Sequence, residues 1–233
     1  MRAADPAGEE LNEAGGSLLR LRYRKTGSAR YISNLDLMAI MGRALIRAGV
    51  ELKYSEGFNP HPYISVALPL PVGCSSVCEL ADVRLAAGAG DARIPERVTA
   101  VLPDGLKVLE AYVSGKKFSG IAWVKLEGRL FYDSGTSSET LTGLERCFSA
   151  ESIFVRKKTK SGLSDIDISP HVKSIKFSGA NYVKMEAVVS AQNPSVSPAM
   201  LAAAIGQSSM APVPDFCLFT RAEIYDINMD VFR

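Results

Sequence analysis

Between Leu18 and Lys25, Leu19, Leu21 and Tyr23 alternate with Arg20, Arg22 and Arg24. This period of two predicts a strand that buries one face and turns a cationic face outward. Thr26 and Gly27 then turn the chain, and the period changes. Leu35, Met38, Met41, Leu45 and Ala48 recur at helical spacing and predict a helix buried along that stripe. Ser33 is its expected N-cap, Asp36 completes a capping box, and Gly49 ends it. Arg43 and Arg47, one turn apart, share another face of the helix.

Further along, Tyr63 to Leu70 and Cys78 to Leu85 read as a strand pair, Ile94 to Leu102 as a short helix and Leu106 to Val113 as a closing strand. The order β-α-β-β-α-β is the ferredoxin-like arrangement, in which both helices cover one face of the sheet. Arg20, Arg22 and Arg24 are then expected on the open face. A second set follows: strand Ile121 to Phe131, helix Ser138 to Phe148, strands Ser152 to Lys157, Val172 to Phe177 and Tyr182 to Ser190, helix Ser197 to Gly206 and strand Phe216 to Ile227. One extra short element falls around Ile166 to Ile168. The fold class predicted is α+β, two tandem ferredoxin-like modules with antiparallel sheets. A loose N-terminal tail is expected over 1–17, the first module over 18–113, a linker over 114–119 and the second module, with a basic hairpin, over 120–233.

Composition adds bounds. With 47% hydrophobic residues in 233, the chain has enough apolar surface for packed cores. No apolar run approaches the roughly 18 residues that span a bilayer, and the first residues are acidic with no apolar leader segment, so a cytoplasmic protein without a membrane partner is expected. The net charge of +2 is unevenly spread. Leu18 to Pro62 holds eight Lys or Arg against three acids, and Glu151 to Lys184 holds seven against three. These regions suit a polyanion or an ordinary solvated surface. Their basic candidates are Arg20, Arg22, Arg24, Lys25, Arg43, Arg47, Arg156, Lys157, Lys158 and Lys160.

The most distinctive loop is Tyr54-Ser-Glu-Gly-Phe-Asn-Pro-His-Pro-Tyr63. Pro60 and Pro62 bracket His61 and stiffen the path, while Gly57 supplies a positive φ. Either the loop presents Phe58, Asn59 and His61 to a base or a peptide, or Phe58 plugs the core and Asn59 caps a turn. Elsewhere, Cys74 and Cys78 match the first two positions of a C-x-x-x-C-x-x-C iron–sulfur pattern, but residue 81 is Ala. His61 and His171 lack a convergent cysteine or carboxylate pattern. No cofactor and no metal site are therefore expected on this chain, and neither standard glycine-rich phosphate loop occurs.

Arg24-Lys-Thr-Gly27, Ala29-Arg-Tyr-Ile-Ser-Asn-Leu-Asp-Leu37, Arg43-Ala-Leu-Ile-Arg-Ala-Gly49, Tyr54 to Pro62 and Ile64-Ser-Val-Ala-Leu-Pro-Leu-Pro-Val-Gly73 resemble the bacterial family of uncharacterised radical-SAM-linked proteins, a domain of unknown function found beside or fused to radical S-adenosylmethionine proteins. Over 18–113 the resemblance is specific. It continues more loosely through Val155 to Lys160, Asp165 to Pro170 and Asn193 to Pro198. Where the family usually has His, this chain has Asn34. Asp36, Tyr54, Glu56, Asn59 and His61 remain as matching polar positions. The resemblance implies a separately encoded radical SAM partner that carries the radical chemistry.

Three functions follow. One is an accessory or substrate-holding protein for a radical SAM enzyme acting on RNA or a translation-related protein. The second is a stand-alone RNA-binding or RNA-processing protein. The third is a hydrolase or transferase using the 54–63 loop, so whether the chain is an enzyme stays open. Binding candidates on the loop and helix are Asp36, Tyr54, Glu56, Phe58, Asn59 and His61.

Overall fold

Leu21 and Tyr23 lie fully buried in strand β1 (Leu18–Lys25), and a hydrophobic core gathers around them. The computed structural model describes residues 17–86, 91–159, 162–179 and 181–233; the expected tail, apart from Ser17, lies outside them. The fold is mixed α+β, as the two periodicities predict. It divides into two compact units, one holding the described residues up to Pro69 with Glu79–Gly115, the other Leu70–Cys78 with Lys116–Arg233.

In the first unit β1 is followed by α1 (Asn34–Arg47), β2 (Ile64–Val66), β3 (Ser75–Arg84), α2 (Ile94–Thr99) and β4 (Leu106–Val113). The strand order is β4-β1-β3, with β2 on β3. The β1–β4 and β2–β3 pairs are antiparallel. Strand β2 and helix α2 are both shorter than their apolar runs, because Pro69 and Pro71 follow the one and Pro103 the other.

Helix α1 begins where its cap predicts. The Ser33 hydroxyl accepts from the Asp36 amide at 3.2 Å and donates to the Asp36 carboxylate at 2.7 Å. It ends in a Schellman turn: Gly49 has φ +70°, its amide donates to Ile46, and the Val50 amide donates to Leu45. The buried stripe is Leu37, Met41, Ala44 and Leu45. Leu35, expected in that stripe, is 79% exposed. Two residues on a helix subtend about 200°, so burying Leu37 turns Leu35 outward.

The expected open cationic face needs the larger correction. Arg20 is fully buried, its Nε and Nη2 donating to the two carboxylate oxygens of Asp82 at 2.7 and 2.8 Å and its Nη1 to Ser114 Oγ at 2.9 Å. Lys25 falls on the buried side of β1, and its ammonium donates to the Ile32 carbonyl at 2.6 Å. Arg22 is half-buried opposite Glu110. Of the four, Arg24 alone is exposed. A carboxylate from the neighbouring strand meets Arg20, so its charge is spent inside the protein.

The second unit runs β5 (Trp123–Phe131), α3 (Ser138–Phe148), β6 (Phe154–Thr159), β7 (Gly162–Asp167), β8 (Val172–Ser178), β9 (Val183–Ser190), α4 (Pro198–Gln207) and β10 (Phe216–Tyr225). Strands β10-β5-β9-β8 form an antiparallel array. Ser75 and Ser76 of β3 pair parallel with Thr220 and Arg221. Strands β6 and β7 form a separate antiparallel hairpin, which accounts for the extra element near Ile166. On it Arg156 pairs with Asp165 at 3.0 Å. Lys160 and the side chains of Lys157 and Lys158 lie outside the described set. Among the described residues, no helix is long and apolar enough to cross a membrane.

Candidate functional site

The chain leaves the Schellman turn of α1 through buried Val50, and Leu52 bridges Leu85, the residue that follows β3. Backbone bonds then hold both stems of the 54–63 loop. The Lys53 amide donates to Arg84, Tyr63 to Lys53, and Arg84 to Tyr63. Tyr54 bridges Pro62, and the Ser55 amide donates to the His61 carbonyl at 2.9 Å. Ser55 fastens the neck a second time, its hydroxyl accepting from the His61 amide at 3.1 Å and lying 2.9 Å from His61 Nδ1. The Asn59 carbonyl stands 3.3 Å from the same ring nitrogen.

These contacts leave a closed tip, Glu56 to Pro60, outside the packed core. Gly57 sits at φ +121°, a conformation a side chain would strain. Phe58 is 106% exposed, so it presents its ring to solvent instead of plugging the core. Asn59 contributes a carbonyl to the brace, and His61 is its hub. Glu56 makes no hydrogen bond or ion pair among the described residues. Tyr54 and Tyr63 flank the neck, each partly exposed, and the Arg84 guanidinium lies over the Tyr63 ring at 5.4 Å.

The loop rests on α1. Pro62 Cγ and Ile64 Cδ1 lie 3.4 and 3.5 Å from where a Cβ on Gly42 would stand. The next residue, Arg43, lines a cleft of about 430 Å³ with Ile40, Arg47, Val101, Leu102 and Pro103. Neither Arg43 nor Arg47 has a hydrogen bond or ion pair among the described residues, so both charges face an apolar floor unneutralised. Asp36 is instead committed to the α1 cap, and neither Glu56 nor His61 lines the cleft. The walls Ile40, Val101, Leu102 and Pro103 escape a reading by sequence. The cleft arises where the α2–β4 turn passes the α1 face, and no local signal marks that approach.

Among the described residues, no group of three His, Cys, Asp or Glu side chains could hold a metal ion. Cys78 Sγ donates to the Arg221 carbonyl at 3.5 Å, and Ala81 packs in the first unit's core. All four cysteines are thiols.

Comparison with known proteins adds the family. No curated protein matches the chain. Among solved structures, an unknown protein from Galdieria sulphuraria is similar at 9% identity, covering 76% of this chain and 82% of its own, with a TM-score of 0.26. DyPB from Rhodococcus jostii RHA1 is similar at 13% identity over 89% of this chain and 93% of its own, with a TM-score of 0.19. The family model described as "Uncharacterized protein conserved in bacteria (DUF2344)" matches residues 18–198, which include the braced loop and the arginine cleft. The chain thus belongs to the DUF2344 family of uncharacterized bacterial proteins, a domain generally associated with radical-SAM proteins.

Proposed function

We propose that this protein is an accessory component of a separately encoded radical S-adenosylmethionine enzyme and docks on it through the 54–63 loop. The observation that carries this reading is Phe58, a bare aromatic ring on a loop whose neck is tied by Ser55 and His61. A pre-formed loop loses little conformational freedom on binding, and burying a phenylalanine ring contributes about 1.5–3 kcal/mol. In that role the chain holds the substrate, an RNA or a translation-related protein, while the radical chemistry belongs to the enzyme. The cytoplasm suits four cysteines kept as thiols.

Each unit reads as one ferredoxin-like module. The first has the order β4-β1-β3-β2 and the second β10-β5-β9-β8, the same permutation once β6 and β7 are set aside as an insertion. That arrangement leaves each module a sheet face without helices.

The test is anaerobic co-purification with the neighbouring radical SAM protein, followed by affinity measurement. The intact chain should form a complex, and Phe58→Ala should weaken it about tenfold or more without altering the circular dichroism spectrum. Recovery of this chain alone, or equal binding by the variant, would refute the docking role.

A second reading, a stand-alone RNA-binding protein, is favoured by the unneutralised Arg43 and Arg47 at the apolar cleft. It expects salt-sensitive RNA binding that falls when both are changed to Gln.

A further inference from the structure

On strand β5 of the second unit, Val124, Leu126, Gly128 and Leu130 are buried, while Trp123, Lys125, Glu127, Arg129 and Phe131 alternate with them. The buried row faces α3: Gly128 lies against Met185, Met185 pairs with Phe177, and Phe148 of α3 packs on Phe177 at 5.7 Å. The Trp123-to-Phe131 row therefore lies on the opposite face. By register, Lys184 and Glu186 of β9 and Lys176 of β8 share that face, as does Phe216, opposite Phe131 on β10.

Aromatic rings gather at one end of this face. The Phe131 centroid lies 5.5 Å from that of Tyr182 and 6.1 Å from that of Phe216. Phe216 is 56% exposed and Tyr182 37%. Arg129 lies over the Tyr182 ring at 5.9 Å, and at the far end of β5 Lys173 lies over Trp123 at 4.9 Å. Between them Lys125 and Lys184 both pair with Glu186. Among the described residues of this face, five cations (Lys125, Arg129, Lys173, Lys176 and Lys184) stand against Glu127, Glu186 and Glu223.

We propose that this face of the second unit binds a single-stranded nucleic acid, with bases stacked on Tyr182, Phe131 and Phe216 and the backbone led past Arg129 and Lys184. Rings left in water amid cations complement a ligand that offers both π faces and phosphates. An acidic protein would satisfy the charges without needing flat rings, and a duplex would keep its bases stacked inside. The proposal shares its ligand class with the RNA-binding reading and rests on it, but uses none of the residues of the Arg43–Arg47 cleft.

The experiment is fluorescence anisotropy on the intact chain with labelled single strands of about twelve nucleotides, RNA and DNA in separate arms, and a matched duplex. Both single strands, or one of them, should bind at about 50 mM salt, and the duplex about tenfold more weakly. The two arms identify which nucleic acid is the ligand. Phe216→Ala and Tyr182→Ala should each weaken binding about tenfold. Phe216→Tyr should retain it, whereas Phe216→Leu, equally apolar but without a π face, should bind as weakly as the alanine variant. Arg129→Gln should lower the salt slope by about one. Binding lost through Arg43→Gln and Arg47→Gln but indifferent to Phe216→Ala would overturn this site and leave the RNA-binding reading standing. No binding of either single strand by the intact chain would overturn both.

Discussion

A methyl group on Gly105 would run into the carbonyl oxygen of Thr26 and the side chain of Ala29, and the residue sits at φ +88°. Both facts exclude a side chain there, since Thr26 and Gly105 are also joined by a 2.8 Å backbone hydrogen bond. Gly105→Ala is expected to cost about 2 kcal/mol or more, read from urea unfolding. At Arg20 the argument concerns charge. Asp82→Ala takes away the carboxylate that accepts two hydrogen bonds from this buried guanidinium, and unfolding should register a loss of about 3–5 kcal/mol. An unchanged midpoint would mean that the pair is not buried in solution. Alternation along β1 was legible in the sequence, and so was the burial of Leu21 and Tyr23. The fate of Arg20 was not, because it depends on Asp82, 62 positions away along the chain. Phe58 had two readings for a similar reason. Composition makes the loop stiff, but only the Ser55–His61 tie fixes which way the ring points.

Helix ends obey local chemistry, which is why Ser33 and Gly49 bound α1 as read. Its buried stripe is a tertiary property, set by what lies across from the helix, and so Leu37 displaced Leu35. The β6–β7 hairpin offers a pH test of an element. At its base the Asp167 carboxylate accepts from the Ser169 amide, the Ile153 amide and the Ser169 hydroxyl. The Ser169 amide, first among these, holds its pKa below the usual carboxylate value of 3.8. A folded-state pKa lowered in this way contributes stability above the unfolded value, and that contribution disappears as pH falls through the folded one. Stability should therefore decline below about pH 4, and Asp167→Asn should flatten that part of the acid limb. The check is thermal unfolding from neutral pH down to about pH 2, comparing wild type with the variant. Parallel curves would show that Asp167 carries none of the acid sensitivity. The aromatic cluster around Phe131 went unread because its members come from two strands, β5 and β10, and the turn before β9, each unremarkable by itself.

For the molecule as a whole, the uneven charge distribution was visible from the start, yet it named regions and not surfaces. Of the cations in Leu18 to Pro62, Arg20 and Lys25 are consumed internally, whereas Arg24, Arg43 and Arg47 remain exposed. Strand β3 carries a different consequence, for anyone who would divide the gene. Residues 70–78 belong with the second unit although both flanking stretches belong with the first. No single stop or start codon therefore separates the two. A fragment of 116–233 would lack Ser75 and Ser76, leaving Thr220 and Arg221 of β10 with an open hydrogen-bonding edge. Expressed alone, that fragment should self-associate as its concentration rises in size-exclusion chromatography, and a synthetic strand spanning 70–78 should suppress the effect. Lineages that rearrange this gene would have to inherit the strand together with the C-terminal portion, or supply another in its place.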